Sequence, residues 1–387
     1  MKKKILFVID SLGCGGAEKS LVSLLPLLDR NKYEIHLWML HRGGTFETLL
    51  PQNIIIEDVP NYSHIESILY RIGQIHYSIT YRIMHLIGIK QHGAELLWKC
   101  VSKTHKVPKV SFDVAIAYQQ GMPTYLVATK INAKKKMAWI NANIFNAGYD
   151  PHFNEYFYNM YDALVPVSTE LEDILRKQWP KFSPKFHCIY DILNPQIIKQ
   201  QAKESVSNEF LLNHKCLLVT TGRLAPQKNH ILAVEAANIL KQKRLKFRWL
   251  FIGEGKERQK IETLLTKYGL QSEVKLLGMQ TNPYPYMAKC DVYVQTSSFE
   301  GFGLTIAEAK ILNRPVVSTN FDVVHDQLIH EKNGLIADMT AESVADNILR
   351  MLSDKKTREH ILQNIAKENN TTYLTEATKV EKLLDED

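Results

Sequence analysis

The stretch SSFEGFGLTIAEAK, Ser297 to Lys310, carries two carboxylates, Glu300 and Glu308, eight positions apart across a glycine-punctuated turn. If a helix starts near Gly303, the two lie on the order of 12 Å apart along its axis, at about 1.5 Å per residue. A retaining glycosidase sets its carboxylates roughly 5 Å apart around one anomeric carbon, so this pair cannot share a carbon. The separation suits the two ends of a nucleotide-sugar, with Glu308 accepting from the ribose hydroxyls and Glu300 from the sugar hydroxyls. The amides of Gly301, Phe302, Gly303, Leu304 and Thr305 at the helix N-terminus would face the diphosphate between them. One glutamate near a helix N-terminus is by itself only a dipole-stabilised surface charge. The ordered set carries the reading.

Other residue types point the same way. TGRLAPQKN, Thr221 to Asn229, places Arg223 and Lys228 five residues apart after a strand pattern, where open α/β sheets bind ligands. Arg223 as a planar fork and Lys228 as a point charge could clamp a diphosphate, although an isolated R-x4-K is more simply a solvated loop. Gly222 and, after the next strand, Gly253 of FIGEG let backbone approach a flat ring. Near the amino terminus Gly13, Gly15 and Gly16 also follow a strand pattern. The third glycine of GxGxxG would fall on Glu18, and the next strand ends in His41 and Arg42 where a ribose-holding acid should stand. That argues against a nicotinamide site and leaves either a tight turn or a phosphate contact.

These residues need strands to end at the right places. ILFVI (Ile5 to Ile9), EIHLWML (Glu34 to Leu40), DVAIAY (Asp113 to Tyr118), KMAWI (Lys136 to Ile140) and ALVPVS (Ala163 to Ser168) read as strands of one sheet. CLLVTTGRL, FRWLFIGEG, EVKLLG, DVYVQTS and RPVVST, between Cys216 and Thr319, read as a second series. Helical patterns follow these runs, so the chain is expected to be α/β, two Rossmann-like doubly wound domains. The boundaries are 1–192 for an acceptor-side domain, 193–371 for a donor domain, and 372–387 for a terminal helix expected to pack back on the first domain. A helix from Ala17 to Leu28 is expected to kink or shorten at Pro26.

With 45% apolar and 23% charged residues in 387, the chain is globular and long enough for two cores. The apolar run after MKKK stops at Asp10, too short for a signal-peptide core, and nothing approaches the roughly 18 apolar residues of a membrane span. Five scattered cysteines without CxxC spacing suit a reducing cytoplasm and no zinc site. Of the net charge of +7, the segment from Pro60 to Ile140 holds +8, from eleven Lys/Arg and three Asp/Glu. That segment includes a mixed aliphatic, aromatic and basic run from Ile65 to Cys100, and AKKKMAW, Ala133 to Trp139. Both suit an interface with anionic lipid or core-packed helices with a cationic outer face, and the localised charge favours the lipid interface. No nucleic-acid reader motif accompanies the charge.

The run DVYVQTSSFEGFGLTIAEAKILNRPVVST, together with GRLAPQKN, FIGEG and HEKNGLIAD (His330 to Asp338), resembles the donor domain of retaining glycosyltransferases of family 4. SLGCGGAEKSLVSLL, Ser11 to Leu25, resembles that family's acceptor-side turn. The resemblance implies the GT-B fold, two domains facing across a cleft, and an E-x7-E motif. It implies catalytic roles for Glu300, Arg223 and Lys228, with Glu308 on the ribose and Gly15 or Gly16 approaching the phosphates. It further implies transfer without a nucleophile of the protein, no metal or other cofactor, and a glycan or lipid-linked acceptor, cytoplasmic or peripheral on a membrane. Two departures from the pattern stand out. Asn141 stands where relatives carry a histidine, and is expected to orient the donor without taking a proton. Asp322 and Val323 stand where relatives have paired glycines. A nucleotide-sugar epimerase would need an acid-base pair around the sugar, which is not evident. A non-catalytic nucleotide-sugar or glycan-binding protein stays open as well, although the clamp and both glutamates are retained.

Overall fold

The computed structural model describes residues 2–13, 15–58, 63–88, 91–206, 216–368 and 372–386. The chain divides into two compact units, residues 1–192 with 374–387, and residues 193–373.

The first unit holds strands β1 (Lys3–Ile9), β2 (Tyr33–Met39), β3 (Ile55–Ile56), β4 (Phe112–Ala117), β5 (Ala133–Ile140) and β6 (Ala163–Pro166). They pair in parallel, in the order β3-β2-β1-β4-β5-β6. Ile5 to Ile9 are all fully buried, which is why this strand is a continuous apolar run: helices cover both faces of a parallel sheet. The expected long first helix is Gly16–Leu24, followed by a 3-10 turn at Leu25–Leu27. Pro26 lies in that turn, where its missing N–H costs no helical bond. The helix Thr372–Asp385 is tied to this sheet from Leu374 onward. Lys3 Nζ donates to Leu384 O at 2.8 Å, Tyr33 OH to Asp385 Oδ1 at 2.8 Å, and Lys135 Nζ to Leu383 O at 2.9 Å.

The second unit holds β7 (Leu217–Thr221), β8 (Arg248–Ile252), β9 (Val274–Gly278), β10 (Val292–Gln295), β11 (Val316–Thr319) and β12 (Leu335–Ala337). The order is β12-β11-β10-β7-β8-β9, again parallel throughout. Its core gathers Trp249, Phe251, Val292, Val294, Leu240 and Ile348 between sheet and helices. Both units are thus doubly wound sheets, the α/β class expected. The two strands absent from the sequence reading, β3 and β12, are edge strands of two and three residues.

In each sheet the chain reverses its winding direction beside the first strand, between β1 and β4 and between β7 and β10. Ligands of such sheets bind outside the carboxyl ends of the strands at that switch. Among the described residues, no helix is long and apolar enough to cross a membrane.

Candidate functional site

Three adjacent strands of the second unit, β8, β7 and β10, deliver the predicted residues to one edge. Gly253 follows β8, Gly222 and Arg223 follow β7, and Glu300 lies in the loop after β10. Gly222 and Gly253 have φ of 153° and 146°, a region that side chains avoid. They also touch: a Cβ on Gly253 would overlap the Gly222 carbonyl, so the two turns can lie together only as glycines.

The loop carrying Lys228 is sewn to the loop carrying Glu300. Ser298 N donates to Gln227 O at 2.8 Å, Gln227 Nε2 to Phe299 O at 3.1 Å, and Thr296 Oγ1 to Lys228 O at 3.1 Å. The alkyl stem of Lys228 lies over Gly222, and its Nζ reaches Glu300 Oε1 at 2.5 Å. The same oxygen accepts from Ser297 Oγ at 2.6 Å and from Gln295 Nε2 at 3.0 Å. Thr305 Oγ1 holds Gln295 from the other side, at 2.6 Å. The sequence assigns Lys228 to phosphate and Glu300 to sugar; the structure joins them as a partly buried ion pair. Arg223 is exposed and forms no ion pair among the described residues.

The second glutamate belongs to a different network. Gly303, at φ 84°, caps the helix Leu304–Ile311, and this helix carries Glu308 fully out of solvent. The Tyr284 hydroxyl donates to Glu308 Oε1 at 2.9 Å. Burial holds the Tyr284 phenol well above its ordinary range, with the neighbouring carboxylate adding to the effect, so it stays a donor. Gly301 and Phe302 are buried, and the loop Ser297 to Gly303 is thereby fixed at both ends. His230 opens the helix His230–Gln242 directly after Lys228 and is fully buried, without a hydrogen-bond partner on either ring nitrogen among the described residues. Burial first, and Lys228 second, push its pKa down to about 3, so the ring is neutral.

Tyr284, Gln295, Ser297 and Gln227 escaped the sequence reading. Gln295 and Ser297 sit inside the quoted motif and could have been noticed as polar residues at a strand end. Tyr284 is 24 positions from its partner, in a segment with no periodic signal.

Gly15, Gly16 and Asn141 lie in the first unit. Gly15 caps the nine-residue helix Gly16–Leu24, and the Glu18 carboxylate packs directly against it. A side-chain carboxylate already stands where the sequence reading left room for a phosphate, at the end of the helix whose dipole favours one. Asn141 follows β5. Its amide nitrogen and oxygen are both out of solvent, with no hydrogen-bond partner among the described residues. Among the described residues no group of three His, Cys, Asp or Glu is placed to hold a metal ion.

With this geometry in hand, the comparisons are specific. Residues 203–368 match the family model for glycosyl transferases group 1. That segment contains every second-unit residue named above. Over most of its length the chain is similar to the N-acetylgalactosamine-N,N'-diacetylbacillosaminyl-diphospho-undecaprenol 4-alpha-N-acetylgalactosaminyltransferase of Campylobacter jejuni, 28% identical and covering 92% of each protein. It is 31% identical to the poly(ribitol-phosphate) alpha-N-acetylglucosaminyltransferase of Staphylococcus aureus over 38% of this chain and 32% of that one. The fold matches that of Anabaena Alr3699/HepE, crystallised with UDP and glucose, at a TM-score of 0.74 over 100% of both chains, with 17% identity. The comparisons support a glycosyltransferase, and the relatives at this level are themselves glycosyltransferases.

Proposed function

We propose that the chain is a retaining glycosyltransferase of family 4, moving a hexose or N-acetylhexosamine from a UDP-sugar to a hydroxyl of a lipid-linked glycan or polysaccharide precursor. The observation that carries this reading is the meeting of Lys228, Glu300 and the Gly222–Gly253 turn at one sheet edge, inside the segment that matches glycosyl transferases group 1. The UDP preference is supported by the Anabaena structure's UDP and glucose, and the acceptor class by the undecaprenol-linked substrate in the Campylobacter relative's name.

In this mechanism Arg223 and Lys228 take the diphosphate, and the amides of Gly301 to Thr305 face it at a helix N-terminus. As the anomeric bond to phosphate breaks, negative charge builds on the leaving diphosphate, and preorganised cations and amides stabilise it without rearranging. Lys228 leaves Glu300 for the phosphate, which frees the Glu300 carboxylate, still held by Ser297 and Gln295, to accept sugar hydroxyls. Glu308 accepts from the ribose. The acceptor hydroxyl enters on the face the diphosphate leaves and gives its proton to the departing phosphate oxygen. No divalent cation is required, so a chelator leaves the rate unchanged. Asn141 orients substrate, and the enzyme works peripherally on an anionic membrane surface through the segment 60–140.

A donor screen tests the reading. Purified protein is incubated with UDP-, GDP- and ADP-sugars, and thermal stabilisation is read together with slow hydrolysis to free nucleotide. One donor should stabilise and be hydrolysed, with both effects lost in Glu308→Ala and Arg223→Ala. Stabilisation without turnover, in the presence of acceptor, would point to a binding protein, and release of an epimerised sugar to an epimerase.

A further inference from the structure

The basic segment from 60 to 140 divides into parts with opposite fates. The lysines of AKKKMAW are already engaged within the protein: Lys134, itself largely exposed, pairs with Asp113 at 2.7 Å, Lys135 donates to Leu383 O and Glu386 O, and Lys136 donates to Ala128 O at 2.8 Å. The helix Gly93–Val101 is core-packed, burying Leu96, Trp98 and Val101. The helix His64–Leu86 is neither.

This helix is amphipathic in the reverse of the usual sense. It meets the rest of the unit with Tyr70, Gly73, Tyr77 and Tyr81. Tyr70 stands edge-on to His105 at 5.6 Å, and Gly73 lies so close to Cys100 O that an added Cβ would sit 2.8 Å from it. Its outward face carries Ile65, Ile68, Ile72, Ile75, Ile79 and Ile83, 44% to 71% exposed, and ends at Leu86, 84% exposed. Spacings of three and four keep these side chains in one row along a helix of 23 residues, about 34 Å. A soluble surface scatters such residues singly. Arg71 and Arg82 are exposed beside the row, next to Ile72 and Ile83 in sequence and both along the same side of it. The helix's lone acidic residue, Glu66, is turned to the protein side, bound to Lys106 at 2.8 Å and to its own N-cap at Ser63.

We infer that the helix His64–Leu86 lies in the headgroup plane of an anionic phospholipid bilayer, its isoleucine row in the acyl boundary and Arg71 and Arg82 on lipid phosphates. A straight apolar row bordered along one side by cations and free of outward acid matches an interfacial helix. This deepens the membrane part of the reading above and rests on it, but is independent of the transfer chemistry.

Co-sedimentation with vesicles tests it, using phosphatidylglycerol with phosphatidylcholine against phosphatidylcholine alone, at low salt. Wild type should pellet with the anionic vesicles. Ile72→Gln with Ile79→Gln should weaken partitioning by at least about tenfold, since each loses apolar burial in the acyl boundary. Both sites are solvent-exposed, so the melting temperature and UDP-sugar hydrolysis should be unchanged. Arg71→Gln with Arg82→Gln, an independent arm, should remove the preference for phosphatidylglycerol. Variants that bind as wild type overturn the role of this helix while leaving membrane binding standing. Wild type that fails to bind overturns both, and donor hydrolysis still judges the transferase separately. A wild-type dimer in sedimentation velocity that the isoleucine variants dissociate would replace the bilayer with a second copy of the chain.

Discussion

Lys228 and Glu300, 72 residues apart in sequence, form an ion pair at 2.5 Å with side chains 18% and 9% exposed. Removing one partner of a pair this sheltered leaves the other charge poorly solvated. Lys228→Met should cost about 3 kcal/mol in urea denaturation, and Glu300→Gln less, because Ser297 and Gln295 can still bond the amide. The double variant should recover about 1–3 kcal/mol relative to the sum. Strict additivity would mean that the pair contributes nothing in solution.

Tyr284→Phe isolates the second network. It removes the hydroxyl that donates to the buried Glu308 carboxylate and leaves the ring packing intact. We expect a loss of about 1–3 kcal/mol in thermal or chemical denaturation. If Glu308 holds the ribose, UDP affinity measured by calorimetry should fall in parallel. Unchanged affinity would separate Tyr284 from the site.

His230 sets a pH dependence whose sign is fixed by its environment. The unfolded imidazole titrates near 6.5 and the folded one near 3. Between these values the unfolded chain binds the extra proton, so stability is intact above about pH 6.5 and is lost as the pH falls towards 3. The contribution at pH 5 is about 2 kcal/mol of destabilisation. His230→Leu should flatten the acid limb by that amount while changing little at pH 8. A curve parallel to wild type would show that the ring is hydrated in solution.

Asn141→Ala should separate activity from stability. The amide makes no hydrogen bond within the described residues, so its removal should leave the melting temperature within about a degree or raise it. Transfer should slow at every pH tested, with the pH profile unshifted, since an amide holds no titrating proton. A rate defect that grows with pH change would mean that Asn141 works through a titrating neighbour.

The fold was legible because parallel strands buried on both faces are written as unbroken apolar runs, and ILFVI, DVAIAY and DVYVQTS need no tertiary context to be read. The short edge strands Ile55–Ile56 and Leu335–Ala337 carry too few residues for that signal. At the site, the glycines and charges were readable from type and spacing, because only glycine tolerates the Gly222 and Gly253 conformations. Pairing was not readable. Whether Lys228 faces phosphate or Glu300 depends on loops joined across the sheet edge, and whether Glu18 leaves Gly15 open depends on that side chain folding back over the first turn of its own helix. The helix His64–Leu86 shows the same limit, since its periodicity gives a stripe and only packing tells which stripe faces out.

The chain leaves the first unit at Ile192 and returns to it at Leu374. The second unit is therefore an insertion into the first, held by the chain at both ends. During synthesis, β1 to β6 emerge long before the helix that Lys3, Tyr33 and Lys135 grip. The ribosome thus finishes the inserted unit while the host unit still lacks its closing piece, and the second unit can ripen first although it is encoded second.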